Sequence, residues 1–316
     1  MQRISIVIPV YRGAQTIGSL VDRLETQVGT VRDLELVLVN DGSPDDSAAV
    51  CRALAASRPH VRFVGLARNF GEHNAVMAGL NHATGGVAVI MDDDAQNPPE
   101  EVMRLVAAVE AGADVAWSRY EKKRHSWFRN LGSRWNDRVA TVLLRKPRDL
   151  YLSSFKALNR FVIDEVVRYR GPYPYLDGLI LRITANYTTV PCTHHAREAG
   201  ESGYSLRKLV SLWLNMFTNF SILPLRLTSL CGVTIALCGI VLAIAFLIER
   251  LCNPDLQRGW ASLIVTLLIV SGIQLVALGM IGEYLGRMFL MGSGRPQFVV
   301  RERVNCEPSL PREHET

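Results

Sequence analysis

Cysteine pairs and a nucleotide-type glycine fingerprint are both missing from this 316-residue chain. Its six cysteines, Cys51, Cys192, Cys231, Cys238, Cys252 and Cys306, contain no C-x-x-C spacing. That argues against a zinc ribbon or a disulfide scaffold and for reduced packing residues in a cytosolic or membrane setting. No G-x-G-x-x-G follows the first apolar run, which disfavours a dinucleotide-binding oxidoreductase. The net charge is +5, yet no Arg-rich recognition helix or aromatic-interleaved basic strand is present. No nucleic acid is therefore expected as a partner, and the basic excess suits an anionic membrane surface or a phosphorylated substrate. The apolar start, Ile4 to Ile8, is too short for a signal peptide and lacks a small-residue cleavage site, so folding is expected to begin at once on the cytosolic side.

Charge is missing over two long stretches, Leu227 to Ile248 and Gly259 to Gly282. Each is long enough to cross a bilayer of roughly 30 Å at about 1.5 Å per residue. With only Glu249 to Arg258 between them, they predict a two-helix transmembrane hairpin with both outer ends on one side. Arg207, Lys208 and Arg226 precede the pair, and Arg287, Arg295, Arg301 and Arg303 follow it, against two arginines in the loop. That asymmetry predicts a multi-pass protein of the inner (cytoplasmic) membrane whose catalytic domain and tail face the cytoplasm. Gly232, Gly239, Ser271 and Gly272 would permit close helix packing or homo-oligomer contacts. From Arg295 the tail turns polar and is expected to fray.

The first 118 residues alternate apolar β-type runs with helix-spaced segments. Strands are expected at Ile4–Val10, Leu34–Val39, Val61–Leu66, Val87–Met91 and Asp114–Ser118, with helices between them. Such alternation implies an α/β fold, a parallel sheet with helices on both faces. The fourth strand runs into Asp92-Asp93-Asp94-Ala95-Gln96-Asn97-Pro98-Pro99, where the prolines and Glu100 open a helix. Three carboxylates at a strand's C-terminal end lie where open α/β sheets bind ligands. Oxygen ligands with no zinc-spaced Cys or His point to Mg²⁺ or Mn²⁺. On spacing alone, a solvated acidic turn capping the helix remains the alternative.

The same edge of a parallel sheet would gather Pro9, Tyr11, the Asn40-Asp41-Gly42 turn and Arg68 into one nucleotide-sized crevice. Asp41 could accept from a base amide or a ribose hydroxyl, and Arg68 could touch a phosphate or form a surface ion pair. Beyond Ser118 the texture changes. A helix over 126–144 carries Trp127, Phe128, Trp135 and several arginines, suited to anionic headgroups or to packing on the sheet. Asp149 precedes a strand-like piece, Tyr151 to Ala157, where a carboxylate could place an acceptor or pair with an arginine. His194 and His195 are adjacent and do not share a strand face, which argues against a zinc pair. The loop around Arg197, Gly200 and Gly203 suits closure over phosphates. Leu206 to Phe220 reads as an interfacial helix, or else a core helix.

Ser5-Ile6-Val7-Ile8-Pro9-Val10-Tyr11, Val39-Asn40-Asp41-Gly42-Ser43-Pro44-Asp45 and Asp92 to Pro99 together resemble family 2 glycosyltransferases of GT-A (Rossmann-like) fold. Arg68-Asn69-Phe70-Gly71, Met77-Ala78-Gly79, Ser126-Trp127-Phe128-Arg129, His194-His195, Gly200-Glu201-Ser202 and Pro224-Leu225-Arg226 extend the likeness to the polyprenyl-phosphate glycosyltransferases, over nearly the whole chain. The resemblance implies a cytoplasmic GT-A domain over 1–204, an interfacial amphipathic helix over 205–226, spans at 227–248 and 259–282, and a tail over 283–316. It also implies inverting, Mg²⁺- or Mn²⁺-dependent transfer of a sugar from a nucleotide-sugar donor to a polyprenyl-phosphate acceptor among membrane lipids. Pro9, Tyr11 and Asp41 would line the nucleotide site. Asp92 and Asp94 would form the DxD pair, with Asp93 between them and Gln96 in the metal shell. Arg119 and Arg197 would contact phosphates.

Three departures stand out. Asp93 occupies a position where the family usually has a small residue, Gly203 replaces a lysine, and Ser153-Ser154-Phe155-Lys156 replaces a segment with an acid or glycine ahead of Phe-Arg. They lie near the sugar and acceptor pockets, so the sugar does not carry over. A processive polysaccharide synthase shares the early motifs, but the chain has no Q-x-x-R-W signature. A non-catalytic membrane transport subunit could use the hairpin without needing the crevice.

Overall fold

The computed structural model describes residues 2–94, 96–120, 150–171, 174–193, 223–252, 259–294 and 296–306. The helices expected over 126–144 and 206–220, with Asp149, His194, His195, Arg197 and Gly203, lie outside the described residues. The chain divides into two compact units, one comprising 1–203 and 295–316, the other 204–294.

The first unit is an α/β sandwich. Along the chain run β1 (Ile4–Val10), α1 (Ile17–Leu24), β2 (Leu34–Asn40), α2 (Ser47–Ser57), β3 (Val61–Leu66), α3 (Glu72–His82), β4 (Val87–Ile90), α4 (Val102–Glu110) and β5 (Val115–Tyr120). After them come β6 (Lys156–Asn159), α5 (Arg160–Val167), α6 (Leu176–Ile183) and β7 (Tyr187–Cys192). The second unit contributes α7 (Leu223–Cys252) and α8 (Trp260–Gly292), and β8 (Val300–Val304) returns to the first. One sheet takes the order β7-β5-β6-β4-β1-β2-β3-β8.

The strands β1, β2 and β4 read as continuous apolar runs because both of their faces are covered. Ile6, Ile8, Leu20, Leu36, Leu38 and Val106 belong to the core on one face. Val7, Val37, Val39, Val76, Leu80 and Ile163 belong to the core on the other. Each such side chain, fully removed from water, contributes about 1.5–3 kcal/mol before the entropy of ordering it is charged. Glu35, polar within this run, is buried but satisfied: Ser5 Oγ and the Thr84 N–H donate to it, and Arg62 lies 3.0 Å away.

Two strands depart from the expected parallel sheet. β6 runs antiparallel to both β4 and β5, with Ile90 opposite Lys156 and Trp117 opposite the same lysine. No βαβ crossover joins it to β5 among the described residues, so nothing forces it parallel. Its start, rather than its end, therefore lies beside the C-terminal ends of β4 and β5. The second departure is β8, antiparallel to β3 with Phe63 opposite Val304. The tail expected to fray carries Val-Arg-Glu-Arg-Val, an alternating pattern suited to an edge strand with one face on the protein. Asn305 at its end donates from Nδ2 to Ala55 O (2.5 Å) and Val61 O (2.9 Å), and Arg52 makes a fork with Glu302 (2.6 and 2.7 Å).

Helices α7 and α8 are 30 and 33 residues long. Among the described residues one stretch, Ile269–Gly292, is long and apolar enough to cross a membrane, with 24 residues and a mean hydropathy of 1.5. Thr228–Val241 is a shorter apolar stretch. The spans expected at 227–248 and 259–282 are thus represented by one candidate of full length. Leu237, Val241, Leu275 and Phe289 expose large apolar side chains, which calls for an apolar partner or solvent.

Candidate active site

The turns that follow β1, β2, β3 and β4 meet along one edge of the sheet. After β1 the chain makes a tight loop in which four consecutive N–H groups are held by side chains from neighbouring turns. Tyr11 N donates to Asp93 Oδ2 (3.1 Å), Arg12 N to Ser43 Oγ (2.8 Å), Gly13 N to Ser47 Oγ (3.0 Å) and Ala14 N to Asp45 Oδ2 (3.3 Å). Arg12 takes a left-handed φ of 60° within this loop, a conformation such clamping can sustain. Tyr11 is left 46% exposed, its ring available to a flat ligand.

Asp93 is one of the expected departures, and its surroundings account for it. Its carboxylate turns back toward the β1 loop and occupies the space that a Cβ at position 13 would need. Gly13 makes that possible. Burial, followed by repulsion from Asp92 and Asp94, pushes the Asp93 pKa up to about 7, against the Tyr11 N–H that lowers it.

Asp41 is buried, and both of its oxygens hold the β3–α3 turn: Oδ1 accepts from Phe70 N (2.7 Å) and Oδ2 from Gly71 N (2.9 Å). Desolvation raises its pKa despite those two donors. The adjoining Gly42 has φ 59°, and a Cβ there would strike the backbone of Arg68 and Asn69. Asp41 and Gly42 thus dock one turn on another. Arg68 is exposed, with its guanidinium 4.8 Å from the Phe70 ring centre.

Asp92 and Asp94 follow β4 directly. Ser154 Oγ donates to Asp92 Oδ2 at 2.6 Å, and Gln96 N donates to Asp94 Oδ1 at 3.1 Å. The pKa of Asp92 is pushed up to about 7, chiefly by burial and then by the charge of Glu72, with Asp94 adding to it. So crowded a set of carboxylates favours a cation. Among the described residues no three His, Cys, Asp or Glu side chains gather around one point. Two carboxylates at a strand end, with Gln96 nearby, fit Mg²⁺ or Mn²⁺, which take one or two protein carboxylates and complete their shells with water and phosphate.

Behind these aspartates lies a group that sequence reasoning did not assemble, Lys156 having stood out only within the departing segment Ser153-Ser154-Phe155-Lys156. Lys156 and Asp177 form a buried ion pair, and Trp117 Nε1 donates to the same Asp177 oxygen at 3.2 Å. Glu72 opens α3 beside them. The available signals were a lone lysine in Ser-Phe-Lys-Ala-Leu and a lone aspartate in Leu-Asp-Gly-Leu-Ile-Leu, both visible as charges inside apolar runs.

Of the other expected site residues, Pro9 lies in β1 opposite Val39. Arg119 is exposed near the end of β5, opposite Pro191. Its neighbour Tyr120 donates from its hydroxyl to Asn97 Oδ1 (2.7 Å) and accepts from Ser153 Oγ (3.1 Å), tying β5 to the segment after Asp94.

Comparison with known proteins agrees with this arrangement. The sequence pattern described as Glycosyl transferase family 2 matches residues 5–167. Undecaprenyl-phosphate 4-deoxy-4-formamido-L-arabinose transferase of Proteus mirabilis (strain HI4320) is 33% identical over 311 residues, covering 97% of this chain and 95% of the relative. The protein of the same name from Enterobacter sp. (strain 638) is 33% identical over 314 residues, covering 96% and 94%. Among solved structures, glucosyl-3-phosphoglycerate synthase from Mycobacterium tuberculosis, in complex with Mn²⁺, uridine diphosphate and phosphoglyceric acid, superposes with a TM-score of 0.51. It is 20% identical and covers 69% of this chain and 75% of its own, a likeness of fold. An α/β domain with paired aspartates at the end of β4, matched by the family pattern and by relatives along almost the full length, makes this chain a glycosyltransferase of family 2.

Proposed function

We propose that the protein moves a sugar, with inversion, from a nucleotide-diphosphate sugar of the UDP type to a polyprenyl phosphate, undecaprenyl phosphate, at the cytoplasmic membrane. The product would be a lipid-linked sugar donor for envelope glycan or lipid modification. The observation that carries this reading is the combination, in one chain, of the Asp92/Asp94 crevice with long apolar helices, along a length that matches undecaprenyl-phosphate sugar transferases from end to end. The curated relatives' names supply the acceptor class, and the complex of the structural neighbour with Mn²⁺ and uridine diphosphate supports the donor class.

Chain connectivity supports the hairpin. β3 and β8 are hydrogen-bonded in one sheet, while α7 and α8 lie between them in sequence. A folded sheet lies on one side of a membrane, so the intervening chain must cross an even number of times. If Ile269–Gly292 spans, a second crossing accompanies it, and α7 is the helix of suitable length.

In this reading Tyr11 stacks on the base and Pro9 shapes the wall beside it. Asp41 fixes the turn that faces the nucleotide, with its oxygens able to accept one further hydrogen bond. Asp92, Asp94 and Gln96 would hold Mg²⁺ or Mn²⁺, which supplies charge neutralisation to the departing diphosphate. Arg68, Arg119 and Arg197 hold phosphate oxygens so that the acceptor lies in line with the anomeric carbon, and Asp149 orients that acceptor. No strong base is required, because a phosphate monoester is already ionised near neutral pH. The test is transfer of radiolabel from a panel of nucleotide sugars into the organic phase by membranes carrying the protein, with undecaprenyl phosphate and Mg²⁺ or Mn²⁺. Label in an acid-labile lipid is the expected result. No label from any donor, together with no binding of nucleotide by the folded protein, would refute the reading.

A further inference from the structure

Two adjacent serines just ahead of β6 divide their hydroxyls between the strands on either side. β6 lies between β4 and β5 and is antiparallel to both. Its register with β4 pairs Val89 with Ala157 and Ile90 with Lys156. Continued two residues past the end of β4, that register brings position 92 opposite position 154, and a hydrogen bond of 2.6 Å from Ser154 Oγ to Asp92 Oδ2 joins the two. A parallel β6 would have turned its other end to this edge. Ser153 serves the opposite neighbour. Its Oγ accepts from Ser118 Oγ (2.8 Å) and Phe155 N (3.2 Å) and donates to the Tyr120 hydroxyl (3.1 Å), which donates in turn to Asn97 Oδ1 (2.7 Å). Ser118, Ser153 and Asn97 are buried, and Ser118 N donates to Phe155 O (3.1 Å). The backbone that carries Ser154 is therefore held by β5 and by the segment after Asp94, while its hydroxyl goes to Asp92.

From this arrangement we infer that Ser154 is a positioning residue for the divalent cation: its hydroxyl sets the rotation of the Asp92 carboxylate before the cation binds, a role that rests on the metal reading proposed above. The terminal torsion of an aspartate is broad, and Asp92 is only half-buried, so packing alone leaves its carboxylate room to turn. A hydrogen bond to one oxygen narrows that range. Serine suits the task because its hydroxyl is a neutral donor. It orients the aspartate without cancelling the negative charge that draws a hard cation. Partners that fix a ligating carboxylate in this way are worth about 10–100-fold in metal affinity. Without the hydroxyl, Asp92 would have to be ordered at the moment of binding, at the cost of its remaining freedom.

The experiment titrates Mn²⁺ into the full chain in detergent, with and without UDP, and reads free Mn²⁺ by electron paramagnetic resonance. It compares the wild type with Ser154→Ala and Ser154→Thr, and a melt of each protein in chelator reports folding apart from the cation. Ser154→Ala should weaken Mn²⁺ binding about tenfold or more, and Ser154→Thr, which keeps a hydroxyl, should recover most of that loss. A lowered melting temperature with Mn²⁺ affinity unchanged would make Ser154 a structural tie between β4 and β6 and overturn the inference. An equal loss of affinity in both variants, each still folded, would also overturn it, since the hydroxyl would not be the cause. In either case a wild type that binds Mn²⁺ leaves the metal reading standing. A folded wild type that binds no Mn²⁺, with or without UDP, would refute that reading and this inference with it.

Discussion

Asp93 lies in the space that a side chain at position 13 would occupy, and its Oδ2 accepts a hydrogen bond of 3.1 Å from Tyr11 N. The residue between Asp92 and Asp94 thus acts on the loop that follows β1. Gly13→Ala should force the carboxylate out and cost about 1–3 kcal/mol of stability, as overpacking typically does, with a raised KM for donor. Asp93→Ala makes room for the new methyl, so the double variant should lose less than the sum of the two single losses. Thermal unfolding and donor kinetics on the four proteins check this; strict additivity would mean that the contact carries no energy.

Asp94→Asn should abolish transfer without unfolding the domain. It keeps an oxygen acceptor for Gln96 N but removes the charge a hard cation needs. The measurement is label transfer at saturating Mn²⁺ beside a circular dichroism melt. Normal turnover would sink the metal assignment.

Stability should depend on pH in a way that a divalent cation reverses. Asp92 and Asp93 have native pKa values of about 7, against an ordinary 3.8. A group raised in the native state stabilises it fully below its unfolded pKa, and that contribution is lost as pH rises through the native value. His73, lowered from 6.5 to about 4, acts in the opposite sense across that interval, losing its contribution as pH falls. The carboxylate effect is therefore cleanest above about pH 6.5. In chelator the melting temperature should fall between about pH 6.5 and 8, and Mg²⁺ or Mn²⁺ should restore more of it at the upper end. A flat profile with no cation effect would contradict the crowding of these carboxylates.

At the far edge of the sheet the single amide of Asn305 should outweigh the ion pair beside it. Asn305 adopts φ 56° and its Nδ2 donates to carbonyls of Ala55 and Val61. Asn305→Ala loses those bonds and retains a left-handed backbone without the Asn preference for it, for a cost of about 2 kcal/mol. Glu302→Gln, in a pair with both side chains partly exposed, should cost about 0–1 kcal/mol. Denaturant titration of the two variants distinguishes them, and the reverse ranking would show that the strand is held by charge.

Local pattern made much of the domain legible. The strands Ile4–Val10 and Val61–Leu66 have the expected limits, and helices fall between the strands as expected, because unbroken apolar runs and helical spacing are properties of neighbouring residues. The aspartates after β4 were readable for the same reason. The direction of β6 was not, since it depends on a partner strand far away in sequence. Glu72 and Asp177 escaped notice, and Lys156 stood out only as part of the departing Ser153-Ser154-Phe155-Lys156 segment, because their joint significance lies in three separate elements meeting. Asp41 was visible as a turn aspartate, while its hold on Phe70 and Gly71 required the third dimension. The polarity that suggested a frayed tail is what an edge strand with one solvent face also looks like.

β8 also fixes an order of events during synthesis. Arg52 and Glu302 stand 250 residues apart, so the partner that covers β3 leaves the ribosome only after both α7 and α8 have been made. Until then the nascent domain carries an open sheet edge, the kind of surface on which other strands can add. Completion of the sheet thereby reports that the whole helical pair has been translated, and a chain halted within α8 would keep that edge uncovered.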